Sequence, residues 1–202
     1  MGLILGSMRS LASEAANFRA GGWQAHVGSD LHGKTLGVLG LGNIGAKVAA
    51  IGQAFGMQVI AWSQNLTAER ARAAGVQYVA KEELFRTADI VTIHLILSQR
   101  TKHLVGKDEL SLMKRSARLV NTSRGPIVDE PALIAALQRG DLAGAALDVF
   151  DEEPLPLDHP YRVLPNVLAT PHVGYVSENL YRTFYADTVR NIMQWVRANA
   201  AA

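Results

Sequence analysis

Short apolar runs that alternate with helical stretches predict an α/β fold. The runs lack a polar alternate face, as expected of strands in a parallel sheet covered on both sides, and a glycine-rich turn joins the first of them to its helix. Together these features predict a doubly wound parallel sheet of the Rossmann-like type. The strand candidates are 35–39 (TLGVL), 58–62 (QVIAW), 76–79, 89–95 (DIVTIHL), 118–121 (RLVN), 144–149 (GAALDV) and 167–170 (VLAT). Helices are expected over 43–55, 67–74, 81–86 and 131–138, the last opening on Pro131 and stopping near Gly140. Ahead of the first strand, 1–20 reads as one helix with an apolar face of Leu3, Ile4, Met8, Leu11, Ala15 and Phe18, ended by Gly21 and Gly22. From Val176 an amphipathic helix carrying Leu180, Phe184, Val189, Ile192, Trp195 and Val196 runs to the Ala-rich end. The expected organisation is one domain at 1–175, leading helix included, followed by a C-terminal helix at 176–202.

Composition narrows the function classes. The chain has 202 residues, 49% of them hydrophobic, and its charged fraction of 19% lies below the roughly 25% of average soluble domains, so it can bury a core and is not of the disordered class. Twenty Lys and Arg against 18 Asp and Glu, with no basic run interleaved with aromatics, point away from nucleic acid. With no cysteine, thiolate metal sites, disulfides and a cysteine nucleophile are excluded, which fits a cytoplasmic protein. The start, MGLILGSMRS, has no basic leader region and reaches Arg9 too soon to span a bilayer. Gly6 also stands where a myristoylation motif carries Ser or Thr, so no membrane association is expected.

The turn after the first strand reads Gly40-Leu41-Gly42-Asn43-Ile44-Gly45, a GxGxxG. Its first glycine permits the tight turn, its second lets backbone approach a pyrophosphate at the helix N-terminus, and its third lets helix and strand pack closely. Between a strand and a helix, this pattern predicts dinucleotide binding. An Asp or Glu is then expected at the end of the second strand to hold the adenosine ribose. The sequence has Ser63-Gln64-Asn65 there, and the first acid downstream is Glu69. Arg70 and Arg72 fit a 2′-phosphate or ordinary solvated helix positions, so NAD and NADP both stay open.

Ligands of open α/β sheets bind beyond the carboxyl ends of the strands. Three motifs stand at such ends: Asn121-Thr122-Ser123-Arg124-Gly125, Asp148-Val149-Phe150 with Glu152-Glu153-Pro154 beyond, and Thr170-Pro171-His172-Val173-Gly174. Taken singly, the Arg reads equally as a surface residue, the acids as a solvated loop and the His as structural. Their shared placement beside a dinucleotide turn is the functional signal. His94 reads as a wall position and His159 as a loop residue. No metal site is expected, because no two histidines share helical ligand spacing.

From Gly33 to about Gly174 the chain resembles the cofactor domain of the D-isomer-specific 2-hydroxyacid dehydrogenases. The resemblance rests on GKTLG at 33–37, GLGNIG, NTSRGPIVDE, the run AALxxGxLAGAALDVFDEEPLP and NVLATPHVG, in that order. It implies an NAD(P)-dependent enzyme that moves a hydride between nicotinamide and a small 2-keto or 2-hydroxy acid. Arg124 would bind the substrate carboxylate and carbonyl, His172 would exchange a proton with the carbonyl oxygen, and Glu153 would pair with that imidazole, with Glu152 its neighbour and competitor. Gly40, Gly42, Asn43, Ile44, Gly45, Ser63, Leu95, Thr122, Ser123, Arg124, Asp148, His172 and Gly174 would line the cofactor pocket. The acid at Glu153 speaks against the formate dehydrogenase branch, which has an amide there. The family also implies a homodimer through the first helix. The sequence departs from the family by lacking the segment that builds most of the substrate domain, by Ser63, by the missing proline in 94–98 and by Tyr175. A dinucleotide-binding module without turnover, truncated or redox-sensing, is therefore the alternative.

Overall fold

A computed structural model describes residues 1–200. The first half runs α1 (Gly2–Met8), α2 (Leu11–Arg19), β1 (Thr35–Leu39), α3 (Asn43–Ala54), β2 (Gln58–Trp62), α4 (Ala68–Ala73), β3 (Gln77–Tyr78), α5 (Lys81–Thr87) and β4 (Ile90–Ile93). It continues with α6 (Lys107–Leu112), β5 (Arg118–Asn121), α7 (Glu130–Arg139), β6 (Gly144–Leu147), β7 (Val167–Ala169) and α8 (Glu178–Asn199). The seven strands form one parallel sheet in the order β3-β2-β1-β4-β5-β6-β7. The chain is a Rossmann-like α/β protein. Strand order reverses between β1 and β4, which is where such sheets open a crevice for ligands.

The side-chain period of two explains the apolar strands. Leu36, Val38, Val59, Ala61, Ile90, Val120 and Ala146 enter one core, and Leu39, Ile60, Val91, Ile93, Leu119, Ala145 and Leu147 enter the other. Gly37 in β1 is required by close packing, since a Cβ there would come within 2.9 Å of Ala88 and Leu84 on α5. At the amino-terminal edge Asp89 binds two elements at once: its carboxylate accepts from the Thr35 amide at 2.8 Å and from Lys114 Nζ at 2.9 Å. Burial alone would raise the Asp89 carboxyl, yet these two donors hold it below its ordinary range.

Most predicted strands end a residue or two earlier than expected, and α7 is capped as its sequence demands, by Asp129 accepting from the Ala132 amide and by Gly140 at φ 69°. The leading helix differs. It breaks at Ser10, which adopts a left-handed conformation at φ 50°. The reason is tertiary. Ile4, Gly6, Ser7 and Met8 of α1 are buried and Gly6 packs against Leu168 of β7, whereas α2 buries no residue. The Ser7 hydroxyl also donates to the Ile4 carbonyl at 3.0 Å, a local bond that competes with helix continuation. The short α6 was not singled out by the sequence.

Contacts divide the chain into a compact unit ending at Pro171 and a second beginning at His172. The second unit is α8 with its lead-in, capped by Ser177 and amphipathic along its length. Leu180, Phe184, Val189, Ile192, Trp195 and Val196 are all exposed. Among the described residues no helix is long and apolar enough to cross a membrane.

His94 lies just past the end of β4, with Nε2 3.0 Å from the Thr92 hydroxyl. Burial pulls its imidazole down to about 4. A histidine held neutral in the fold takes up a proton more readily when unfolded, so its contribution is complete above about pH 6.5 and is lost as pH falls toward 4. Denaturant midpoints are therefore expected to drop across that window, by on the order of 1–3 kcal/mol, and His94→Gln is expected to flatten the dependence. Equal pH profiles for the two proteins would rule out His94 as the source.

Candidate functional site

The parallel register aligns the carboxyl ends of the strands. Leu39 pairs with Trp62 and with Ile93, Ile93 with Asn121, Asn121 with Leu147, and Leu147 with Ala169. The residues immediately beyond, Ser63, Gly40, His94, Thr122, Asp148 and Thr170, therefore form one rim. Six of the predicted stretches meet on it from distant points in the sequence.

At the switch point Gly40 has φ 105°, and a Cβ there would come within 2.6 Å of the His94 carbonyl oxygen. A Cβ on Gly45 would strike the Gly40 carbonyl. Both glycines are explained by packing within the chain. Gly42 is not: a Cβ there would meet nothing within 4 Å. It stands at the N-cap of α3, where no side chain caps the first-turn amides of Asn43 and its neighbours, and Ile44 is 67% exposed beside it. Open space over uncapped, aligned N–H groups fits the pyrophosphate of a dinucleotide. Leu95, half-buried, packs against Gly40 and forms the facing wall. Ser63 is half-buried at the end of β2, and its carbonyl accepts from the Leu66 amide at 3.0 Å. Arg70 and Arg72 are exposed on α4.

Beyond β5 the chain is organised by Asn121, which is 1% exposed. Its amide donates to the Arg124 carbonyl at 2.9 Å and its side-chain oxygen accepts from the Ser123 amide at 3.0 Å. The Ser123 hydroxyl donates to the Ile93 carbonyl at 2.9 Å, tying this loop to β4. Thr122 and Arg124 are left exposed, and the Arg124 guanidinium donates to the Ser123 carbonyl at 2.6 Å. Gly125 presses on the neighbouring segment so closely that a Cβ would collide with the Phe150 carbonyl.

Beyond β6, Asp148 is 4% exposed and accepts from the Thr170 hydroxyl at 2.5 Å, while its amide donates to the Asn121 carbonyl. Glu153 is exposed and closes the following turn, its carboxylate accepting from the Phe150 amide at 2.9 Å. His172 and Gly174 lie in the second unit. There His172 has φ 52° and meets the Tyr175 ring edge-on, with centroids 5.5 Å apart. Asn121 and Thr170 were not singled out as site residues. The usable signal was a polar residue at the end of an apolar strand, which must be bonded if it is buried. Among the described residues no group of three His, Asp or Glu side chains is arranged to hold a metal.

The sequence model of the D-isomer specific 2-hydroxyacid dehydrogenase NAD binding domain matches residues 1–174. A glyoxylate reductase from Aeropyrum pernix is 50% identical over 155 residues, covering 76% of this chain and 46% of that protein. A D-3-phosphoglycerate dehydrogenase from Methanocaldococcus jannaschii is 40% identical over 200 residues, covering 96% and 38%. The chain thus spans about half or less of the length of these curated relatives. Among solved structures, a putative D-3-phosphoglycerate dehydrogenase from Ralstonia solanacearum superposes with a TM-score of 0.93 at 34% identity, over 98% of this chain and 62% of that one. D-lactate dehydrogenase from Aquifex aeolicus, solved with NAD and lactic acid, gives 0.84 at 29% identity, over 99% and 65%. With the glycine turn, the Asn121 loop and the Asp148 segment on one rim, the chain belongs to the D-isomer-specific 2-hydroxyacid dehydrogenases and carries their NAD-binding domain.

Proposed function

We propose that the chain serves an NAD(P)-dependent oxidoreductase of the phosphoglycerate dehydrogenase or glyoxylate/hydroxypyruvate reductase type, acting on a small D-2-hydroxy acid or its 2-keto acid. The observation that carries this reading is the rim on which a dinucleotide cradle, an exposed Arg124 and an exposed Glu153 are held by buried polar contacts. When bound, the dinucleotide supplies or accepts the hydride. Gly40, Gly42, Asn43, Ile44 and Gly45 hold its pyrophosphate; Ser63 serves its ribose, and Leu95, Thr122, Ser123, Arg124, Asp148, His172 and Gly174 the rest of its pocket. Arg124 offers planar paired donors to the substrate carboxylate and carbonyl oxygen. An imidazole nitrogen of His172 gives a proton to that oxygen in reduction and takes it back in oxidation. Glu153 is the carboxylate that would pair with this imidazole and hold its orientation. Glu152 is given no role.

Ser63 in place of the ribose-binding acid removes the usual charge that repels a 2′-phosphate, so NADP is admitted beside NAD. Ser63→Asp is expected to shift the ratio of NADPH to NADH dissociation constants toward NADH by about tenfold, and an unchanged ratio would remove Ser63 from that role. Reduction of glyoxylate, hydroxypyruvate, pyruvate and phosphohydroxypyruvate by the 202-residue chain tests the activity itself. His172→Ala is expected to lower turnover by about 10²–10⁴-fold, and near-normal turnover in that variant would refute the assignment. The second reading is a dinucleotide-binding module without turnover. It predicts NADH binding with no turnover of any of the four acids.

A homodimer is part of the proposal, supported by Leu11 and Phe18 of α2 and by Trp23, all more than half exposed. Ile4 and Met8 of the leading segment are buried in the chain's own core, so the contact is confined to α2 and the loop after it. Light scattering should give twice the mass of one chain, and Phe18→Asp with Trp23→Asp should halve it; a monomeric wild type would exclude the contact. A cytoplasmic location belongs to the same reading and is supported by the cysteine-free composition.

A further inference from the structure

We propose that His159 is a positioning residue, tying the segment that carries Glu153 to the segment that carries Arg124 through a hydrogen bond to Glu130. This rests on the functional reading above for the roles of Arg124 and Glu153, while the tie itself stands on geometry.

His159 lies in the loop between β6 and β7. Its Nδ1 accepts from the Tyr161 amide at 3.3 Å, which leaves the ring proton on Nε2, and Nε2 lies 3.1 Å from Glu130 Oε1. The two side chains are only 13% and 19% exposed, so the bond is largely shielded from water. Glu130 is the first residue of α7 and follows directly on the Arg124 loop. That loop is itself fixed: Pro126 and Ile127 accept from the amides of His103 and Val105, and Val105 accepts from the amide of Asp129.

On the other side, a run of ring contacts leads from His159 to the turn that Glu153 closes. Its ring sits 4.9 Å from that of Tyr161, which is 5% exposed and 6.3 Å from Phe150. The Phe150 amide is the one that donates to Glu153. Arg162 donates to the carbonyls of Leu155 and Pro156 at 2.6 and 2.7 Å, closing the loop into a bracket. The two segments also meet at Gly125, whose backbone packs on Phe150, and His159 and Glu130 add a side-chain bond between them.

The surroundings of this bond are acidic. Asp151 lies within electrostatic reach of Glu130 and Asp129, and Lys102 and His103 act on it with the opposite sign. Burial and then Glu130 raise the Asp151 carboxyl, and burial followed by the same acids raises the Tyr161 hydroxyl well above its ordinary range. Glu130 shares this acidic surrounding, and the Nε2 donor of His159 is placed on its carboxylate at 3.1 Å.

The test uses the full chain and reads the Phe150 amide by ¹H–¹⁵N NMR across pH, which follows the Glu153 carboxylate without needing turnover. His159→Ala is expected to lose at least half of the pH-dependent shift of this amide while NADH affinity stays within twofold. Glu130→Gln keeps an acceptor for Nε2 and should retain the wild-type profile. If His159→Ala does not fold, Glu130→Ala breaks the same bond from the helix side and is read in the same way. In a wild type that reduces a keto acid, His159→Ala should also lower kcat about tenfold or more with KM for NADH unchanged. A wild type that binds NADH without turnover sinks the functional reading and leaves the amide measurement intact. A Phe150 amide that titrates alike in wild type and His159→Ala overturns the proposal.

Discussion

The parallel, in-register pairing of the strands is the constraint from which the rest follows. A sheet covered on both faces must satisfy its backbone donors and acceptors internally, because no water reaches them. Register is then set by burial: shifting one strand by a residue would exchange the sets that fill the two cores, moving Leu36 and Val38 to the face of Leu39. The same register brings Trp62, Leu39, Ile93, Asn121, Leu147 and Ala169 into one line. A rim of loops follows from that line, and the candidate chemistry is distributed along it.

The rim holds exposed groups on buried supports. Asn121 and Asp148 are two of the few buried polar residues, and each satisfies its side chain on the backbone or hydroxyl of an adjoining segment. That cost of burial, offset by hydrogen bonds, is what lets Arg124 and Glu153 face solvent on backbones that do not wander. The opposite edge of the sheet uses polar groups differently. Asp89 is spent on the Thr35 amide and on Lys114, joining the starts of β1 and β4. One edge spends its polar groups on joining elements, and the other carries the exposed candidate groups.

The glycine turn shows how much of such a site a sequence can carry. Gly40, Gly42 and Gly45 were readable from spacing alone, yet their reasons differ. Gly40 and Gly45 are forced by carbonyls of the chain itself, whereas Gly42 borders empty space above uncapped amides. Spacing cannot separate these two causes; coordinates can. The leading helix marks the opposite limit. Its apolar periodicity runs through both α1 and α2, but only α1 has a sheet to pack against, so the helix breaks at Ser10 and the two halves differ in burial.

Sequence alone determined the strand positions, most of the helices, the dinucleotide turn and the family, because each depends on local periodicity or on contiguous motifs such as NTSRG and TPHVG. The tertiary structure decided what depends on partners distant in the chain. It set the alignment of the strand ends, the burial of Asn121 and Asp148, the closure of Gly125 onto Phe150 and the bond from His159 to Glu130. The last pair lies 29 positions apart, and no periodicity spans that distance. Hydrogen bonds of this kind are made by folding and have no signature in the order of residues.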